Sequence, residues 1–164
     1  ELGAFCTKIY RNHKISTVIK HIPGHGSTSS DSHKSLPVVK KSLSKLNKND
    51  FNCFKNVSSH FAMTAHILYK DIDPSNPATH SSKIIKNIIR NKIGFKGILI
   101  SDDISMKALK YDLIKNAKQS LLSGCNLVLY CAGKYEESSK LLKNIPHIDK
   151  FTVKKTSEFY NFLS

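Results

Sequence analysis

Short apolar runs that alternate with longer amphipathic stretches restrict most strongly how this 164-residue chain can fold. The clearest run is GFKGILISDD (94–103), which is bounded by glycines and ends on two carboxylates. Further strand-like runs are STVIKHI (16–22), a run within VSSHFAMTAHI (57–67), and NLVLYCA (126–132). Strands that are apolar on both faces are typical of a parallel sheet covered by helices. The sequence therefore predicts an α/β fold with a parallel sheet.

The stretches between these runs predict the covering helices. Isoleucines recur at helical spacing between 84 and 89, and hydroxyl residues just before them can cap that helix. The candidate caps are Thr79, Ser81 and Ser82. Other helices are predicted over 36–45, 105–122, 136–143 and 151–163, with Pro37 in the first turn of one and Gly124 ending another.

A formal net charge of +14 raises the question of a polyanionic partner. Proteins that bind nucleic acid concentrate lysine and arginine on one face. Here the lysines are scattered along the whole chain and alternate with isoleucine, asparagine and serine, so we interpret them as solvated and expect no nucleic-acid partner. A basic nucleic-acid-binding protein is the alternative from another class, and its affinity would fall steeply with salt.

Cysteine usage and hydropathy bear on the location of the protein. The four cysteines contain no CxxC pair, which is typical of reduced thiols in a cytosolic protein. No apolar run approaches the roughly 18 residues of a membrane span, and no signal peptide opens the chain. We therefore expect a cytoplasmic protein with no membrane partner.

Chemically versatile side chains stand where the predicted strands end. Lys20 and His21 end the first strand, and Asp102 and Asp103 end the 94–103 run. In parallel α/β folds, active sites lie at the carboxyl ends of the strands. One of the two carboxylates is expected to cap a helix that starts near Ser105, which leaves the other for chemistry.

The segment KHIPGHGSTSSDSH (20–33) permits three kinds of chemistry. His21 and His25 have the spacing of a helical zinc pair, but the proline and glycines around them oppose a helix. Gly24 and Gly26 could cradle a phosphate beside Lys20, but the residue order of a phosphate-binding loop is absent. Both readings are therefore weaker than the third, which is acid–base catalysis.

An Asp-Ser-His step supports the acid–base reading. Asp31 lies two residues before His33, so its carboxylate can reach the imidazole, fix its tautomer and raise its pKa. His33 would then donate a proton and later accept one. The same step often only caps a turn, so these residues alone leave that alternative open.

Five motifs in order resemble those of the glycoside hydrolase family 3 β-N-acetylglucosaminidases, the cytosolic β-hexosaminidases of bacterial cell-wall recycling. They are KHIPGHGSTSSDSHKSLP (20–37), MTAHILY (63–69), PATHS (77–81), GFKGILISDDISM (94–106) and SGCNLVL (123–129). The resemblance implies a TIM-type (β/α)8 barrel, of which this chain would form the C-terminal strands and helices only.

The resemblance also implies roles for individual residues. Asp102 would be the catalytic nucleophile and His33 the general acid/base, with Asp31 as its partner, while Lys20 and His21 would contact the hydroxyls of N-acetylglucosamine. A retaining glycosidase needs such a carboxylate and such a proton donor. The implied reaction releases terminal β-linked N-acetylglucosamine from muropeptides in the bacterial cytoplasm and requires no metal or organic cofactor.

Three positions depart from the family pattern. Ser27 and Asn126 each replace an aspartate, and His80 occupies an apolar position. We expect Ser27 to loosen its loop, because an aspartate there could accept backbone hydrogen bonds. None of the three changes removes a residue with an implied catalytic role.

At 164 residues, the chain is shorter than a complete barrel of this type. A whole barrel needs about 250 residues, so residues 1–164 are expected to be a single incomplete catalytic domain without the N-terminal barrel strands. STVIKHI and NLVLYCA would border its sheet. A separate polypeptide carrying the N-terminal barrel half is a candidate partner, and an inactive truncated remnant of the enzyme is the alternative.

Overall fold

The computed structural model describes residues 1–28 and 35–164 and contains six strands within them. The strands are β1 (Val18–Ile22), β2 (Val38–Val39), β3 (Phe61–Thr64), β4 (Leu68–Tyr69), β5 (Ile98–Asp103) and β6 (Leu127–Leu129).

Helices separate most of these strands in the chain. They are α1 (Leu2–Asn12), α2 (Leu43–Lys48), α3 (Ser82–Ile84), α4 (Leu113–Ser123), α5 (Tyr135–Asn144) and α6 (Lys150–Leu163). Helix α3 continues as a π-helix over Ile85–Ile93, and short 3₁₀ turns occupy Asn52–Phe54 and Ala78–His80.

The main sheet has four parallel strands in the order β1–β3–β5–β6. Strands β2 and β4 form a second parallel pair. This topology confirms the predicted parallel α/β fold and corresponds to part of a TIM-type barrel. Strands β1 and β6 are the two edges of the main sheet, as the sequence predicted.

The core lies where the sheet meets the π-helix and the β2–β4 pair. Ile22, Ile67, Ile89 and Leu99 are among its fully buried side chains. Burying an aliphatic side chain of this size contributes about 1.5–3 kcal/mol relative to leaving it exposed. This core therefore fixes the relative positions of β1, β3 and β5, whose carboxyl ends carry the candidate site.

Side-chain caps set where several helices begin. Ser81 Oγ accepts a hydrogen bond from the N–H of Ile84, so Ser81 is the cap among the three predicted candidates. Asp112 Oδ1 accepts from the N–H of Lys115 at the start of α4. Gly124 ends α4 with a φ of +115°, a conformation that favours glycine.

Two helix predictions were wrong, and one helix was missed. Residues 38–39 form β2 and pair with β4, so only Leu43–Lys48 of that region is helical. Residues 105–112 form turns, and α4 begins at Leu113. Helix α1 was not predicted. Within the part of the chain that the structure describes, none of the helices has the length and apolar character needed to span a membrane.

Candidate active site

The carboxylate of Asp102 lies at the carboxyl end of β5, with 17% of its side chain exposed. Its Oδ1 accepts a hydrogen bond of 2.9 Å from the N–H of Asp103. Its Oδ2 lies 3.6 Å from Nε2 of His21, near the carboxyl end of β1 on the far side of β3. One oxygen is thus held by the backbone while the other faces His21.

Asp103 makes different contacts. Its Oδ1 accepts from the N–H of Ser105 at 3.1 Å and from the N–H of Cys131 at 3.2 Å. It therefore stabilises the turn after β5 and ties that turn to the segment after β6. The predicted cap at Ser105 exists, but it caps a turn rather than a helix. The two adjacent acids accordingly have separate environments.

Lys20 and His21 stand at the end of β1, on the same side of the sheet as Asp102. Burial lowers the pKa of His21, and the charge of Asp102 partly opposes that effect. The His25 ring packs edge-on against His21, with 5.8 Å between ring centroids. A cavity of about 540 Å³ beside them is lined by Lys20, His21, His25 and Asp50, among others.

The structure therefore brings three of the five predicted site residues to one end of the sheet: Lys20, His21 and Asp102. The other two, Asp31 and His33, lie outside the described residues, so their predicted pairing stays a prediction. Among residues 1–28 and 35–164, His21 and His25 are not joined by a third potential ligand in a metal-binding cluster.

The start of the loop that leads toward residue 29 is anchored to the body of the protein. Ser27 Oγ donates a 2.6 Å hydrogen bond to Oδ2 of Asp50, and the Tyr69 hydroxyl donates to the carbonyl of Gly24. A Cβ atom at Gly24 would lie 2.7 Å from Cβ of Asp50. Where we expected Ser27 to loosen the loop, the structure gives its side chain a buried acceptor.

The other two departures from the family pattern lie away from Asp102. The side chain of Asn126 accepts from Arg90 and from the N–H of Leu99, and donates to Thr152. It thereby joins β5 to α6. His80 is buried, stacks on Tyr111 with centroids 6.1 Å apart, and has a pKa lowered to about 4 by its burial.

Sequence reasoning missed the part that His66 takes in this site. His66 is fully buried, and its Nε2 lies 3.0 Å from the carbonyl oxygen of Asp103. Its Nδ1 lies 2.7 Å from Oγ1 of Thr79. Burial lowers the pKa of His66, partly opposed by its bond to the Asp103 backbone. The MTAHILY motif contained this residue but gave it no role.

Comparisons with known proteins place this arrangement in a family. Residues 2–156 match the description "Glycosyl hydrolase family 3 N terminal domain". A β-hexosaminidase of Shewanella frigidimarina is 37% identical over 123 residues, which are 71% of this chain and 36% of that protein. A β-hexosaminidase of Psychromonas ingrahamii is 33% identical over 86% of this chain and 41% of its own length. The chain thus spans about two fifths or less of the length of these curated relatives.

Solved structures agree with this assignment. The family 3 β-N-acetylglucosaminidase of Paenibacillus sp. superimposes with a TM-score of 0.86 at 25% identity, over 98% of this chain and 33% of that one. NagZ from Neisseria gonorrhoeae, in complex with N-trifluoroacetyl-D-glucosamine, gives 0.81 at 29% identity, over 93% of this chain and 44% of that one. The family match covers almost the whole chain, and the strand-end carboxylates lie where its motifs predict, so the chain belongs to glycosyl hydrolase family 3.

Proposed function

We propose that residues 1–164 carry the catalytic strand ends of a retaining β-N-acetylhexosaminidase. Within it, Asp102 is the nucleophile that attacks the anomeric carbon of a terminal β-linked N-acetylglucosamine. The observation that carries this proposal is that the two adjacent acids make different contacts. Asp103 is bonded to the Ser105 turn and to Cys131, whereas Asp102 has one oriented oxygen and one that faces His21.

His33 is the proposed general acid and base, with Asp31 as the carboxylate that orients its imidazole. In the first step His33 protonates the leaving oxygen while Asp102 forms the glycosyl–enzyme bond. In the second step the imidazole removes a proton from water, which attacks the same carbon and releases Asp102. The segment that leads toward these two residues begins at Gly24 and Ser27, which are bonded to Tyr69 and Asp50.

Lys20 and His21 are the proposed contacts for the sugar hydroxyls. The imidazole of His21, 3.6 Å from Asp102, and the ammonium group of Lys20 in the adjoining cavity can donate hydrogen bonds to a pyranose ring whose anomeric carbon lies above that carboxylate. The β-hexosaminidases among the relatives, and the N-trifluoroacetyl-D-glucosamine held by a relative from Neisseria gonorrhoeae, support an N-acetylglucosamine-type substrate. No metal or organic cofactor enters the proposed reaction.

We extend the proposal to the biological setting. The substrate is the N-acetylglucosaminyl group of peptidoglycan-derived muropeptides, and the reaction takes place in the bacterial cytoplasm. Residues 1–164 act as part of a single catalytic domain, together with the other strands of the barrel. The resemblance to enzymes of cell-wall recycling and the bacterial relatives support this setting.

The test compares Asp102→Asn with Asp103→Asn in the active protein that contains this chain. We expect Asp102→Asn to lower kcat on a chromogenic β-N-acetylglucosaminide by more than about a thousandfold, as loss of a nucleophile does. Asp103→Asn keeps a side-chain acceptor for the turn, so we expect a loss below about a hundredfold. Equal losses, or a larger loss for Asp103→Asn, would remove the support for the proposed roles.

A further inference from the structure

Hydrogen bonds to β6 and to the segment just after β3 hold the end of β5 in place. The carbonyl of Asp103 receives a bond from Nε2 of His66, just after β3, and the next N–H, of Ile104, donates to the carbonyl of Leu129 in β6 at 2.9 Å. The peptide between residues 103 and 104 is therefore held at both of its polar atoms. Such a peptide has little freedom to rotate.

The same backbone segment orients Asp102. The N–H of Asp103 donates to Oδ1 of Asp102 at 2.9 Å, which leaves Oδ2 directed toward His21. This N–H belongs to the 102–103 peptide, which is joined to the 103–104 peptide at the Cα of Asp103. Bonds that fix the 103–104 peptide therefore limit how far the 102–103 peptide can turn, and with it the N–H that orients the Asp102 carboxylate.

The hydrogen bonds around His66 fix its tautomer. A carbonyl oxygen only accepts, so Nε2 carries the proton that reaches Asp103. On the other side of the ring, Thr79 Oγ1 lies 2.7 Å from Nδ1 of His66 and 2.8 Å from Oγ1 of Thr64. Thr79 Oγ1 also lies 3.2 Å from the carbonyl oxygen of Ala65, a longer contact than the 2.7 Å to Nδ1. With Thr64 donating to Thr79, and Thr79 donating over the shorter distance to Nδ1, a neutral ring with its proton on Nε2 has a partner at both nitrogens.

Burial favours the uncharged form of this ring. Thr64, His66 and Thr79 are all fully buried, and burial lowers the pKa of His66. The titratable groups that act on it are Asp102 and Asp103 from β5, with His21 and His80 nearby. A positive charge beside the Asp102 carboxylate would reduce the nucleophilicity of that carboxylate. A neutral His66 ring donates to the backbone without adding such a charge.

We propose that His66 is a positioning residue for Asp102, which it serves by holding the Asp103 backbone through its Nε2–H. This inference rests on the proposed function in which Asp102 is the nucleophile. His66 itself touches neither sugar nor the reacting carbon. Its removal should lower turnover without weakening the binding of a sugar product, because the orientation of the nucleophile matters in the transition state.

The first experiment compares His66→Leu, His66→Gln and the control His80→Gln in the active protein that contains this chain. We expect His66→Leu to lower kcat by about tenfold to a hundredfold, with an unchanged inhibition constant for N-acetylglucosamine. Glutamine places an N–H near the position of Nε2, so His66→Gln should recover most of the activity. His80→Gln changes a second histidine that is buried in the described part of the chain, and it should leave kcat unchanged.

The second experiment needs no variant and no activity. Nitrogen-15 NMR of the histidine-labelled protein should show His66 uncharged at pH 6.5, the ordinary histidine pKa, with the proton on Nε2. A charged ring, or a proton on Nδ1 alone, would overturn the proposal, and so would a loss of activity in His66→Gln as large as in His66→Leu. A protein that shows the expected tautomer but hydrolyses no N-acetylglucosaminide would instead contradict the proposed function.

Discussion

Replacing His80 by leucine should make the protein more resistant to acid. His80 is 3% exposed, and its Nε2 has no hydrogen-bond partner among the described residues. Burial lowers its pKa to about 4 from 6.5. The folded state therefore takes up this proton only at lower pH than the unfolded chain does, and folding stability is lost as pH falls through the interval between these values.

The size of the effect follows from the two pKa values. Each pH unit between them is worth about 1.36 kcal/mol, so the full interval corresponds to an upper bound of about 3 kcal/mol. Between pH 7 and pH 4.5 most of this interval is crossed, and His80 alone should cost between about 2 and about 3 kcal/mol of stability. At pH 7, the leucine loses the stack on Tyr111 but also removes an unpaired polar atom, so the two terms largely cancel.

The assay is urea unfolding of the parent protein and His80→Leu at pH 7 and pH 4.5. The stability of the variant relative to the parent should rise by about 2 kcal/mol or more at the lower pH. The matched control is His147→Leu, because His147 is exposed. A difference between His80→Leu and the parent that is the same at both pH values would show that burial does not lower the pKa of His80.

Three further predictions concern the loop, the acid/base and the sheet edges. Gly24→Ala should destabilise the protein by about 2–4 kcal/mol in urea unfolding, because φ at residue 24 is +148° and the new Cβ would meet Asp50. The control Gly3→Ala, at a helical position with no atom near the new Cβ, should not destabilise it. His33→Ala should reduce turnover far more for substrates with poor leaving groups than for activated aryl glycosides. Asp31→Ala should show a milder form of that pattern. Equal losses of turnover for the two kinds of substrate would indicate a structural histidine. A polypeptide of residues 1–164 alone should hydrolyse little of a chromogenic N-acetylglucosaminide. It should also self-associate in sedimentation, because β1 and β6 are open edges of its main sheet. Robust turnover by its monomer would contradict this prediction.

The parallel sheet and the position of Asp102 could be predicted because their signals are local. In the run 94–103, two glycines precede the apolar residues and two aspartates follow them. The strand, its end and the carboxylates are therefore all encoded within ten residues. The edge positions of β1 and β6 followed from the order of such runs. Asp112, which caps α4, was also a local signal, and weighing it would have moved the start of that helix from 105 to 113.

The errors arose where distant residues decide the structure. Val38 and Val39 fit a helical pattern, but they pair with Leu68 and Tyr69, about 30 residues away, and that pairing satisfies their backbone. The role of His66 depends on a carbonyl 37 positions away and on Thr79. The contacts that distinguish Asp103 from Asp102 likewise include the N–H of Cys131, which no local pattern links to them.

The most direct test of the account is to identify the residue that becomes covalently attached to the sugar. The active protein is incubated with a fluorinated N-acetylglucosaminide whose glycosyl–enzyme intermediate hydrolyses slowly, then digested and examined by mass spectrometry. We predict one added sugar on the peptide that contains ISDD, located by fragmentation at Asp102 and absent from Asp102→Asn. An adduct on Asp103, or on a residue outside this chain, would contradict it.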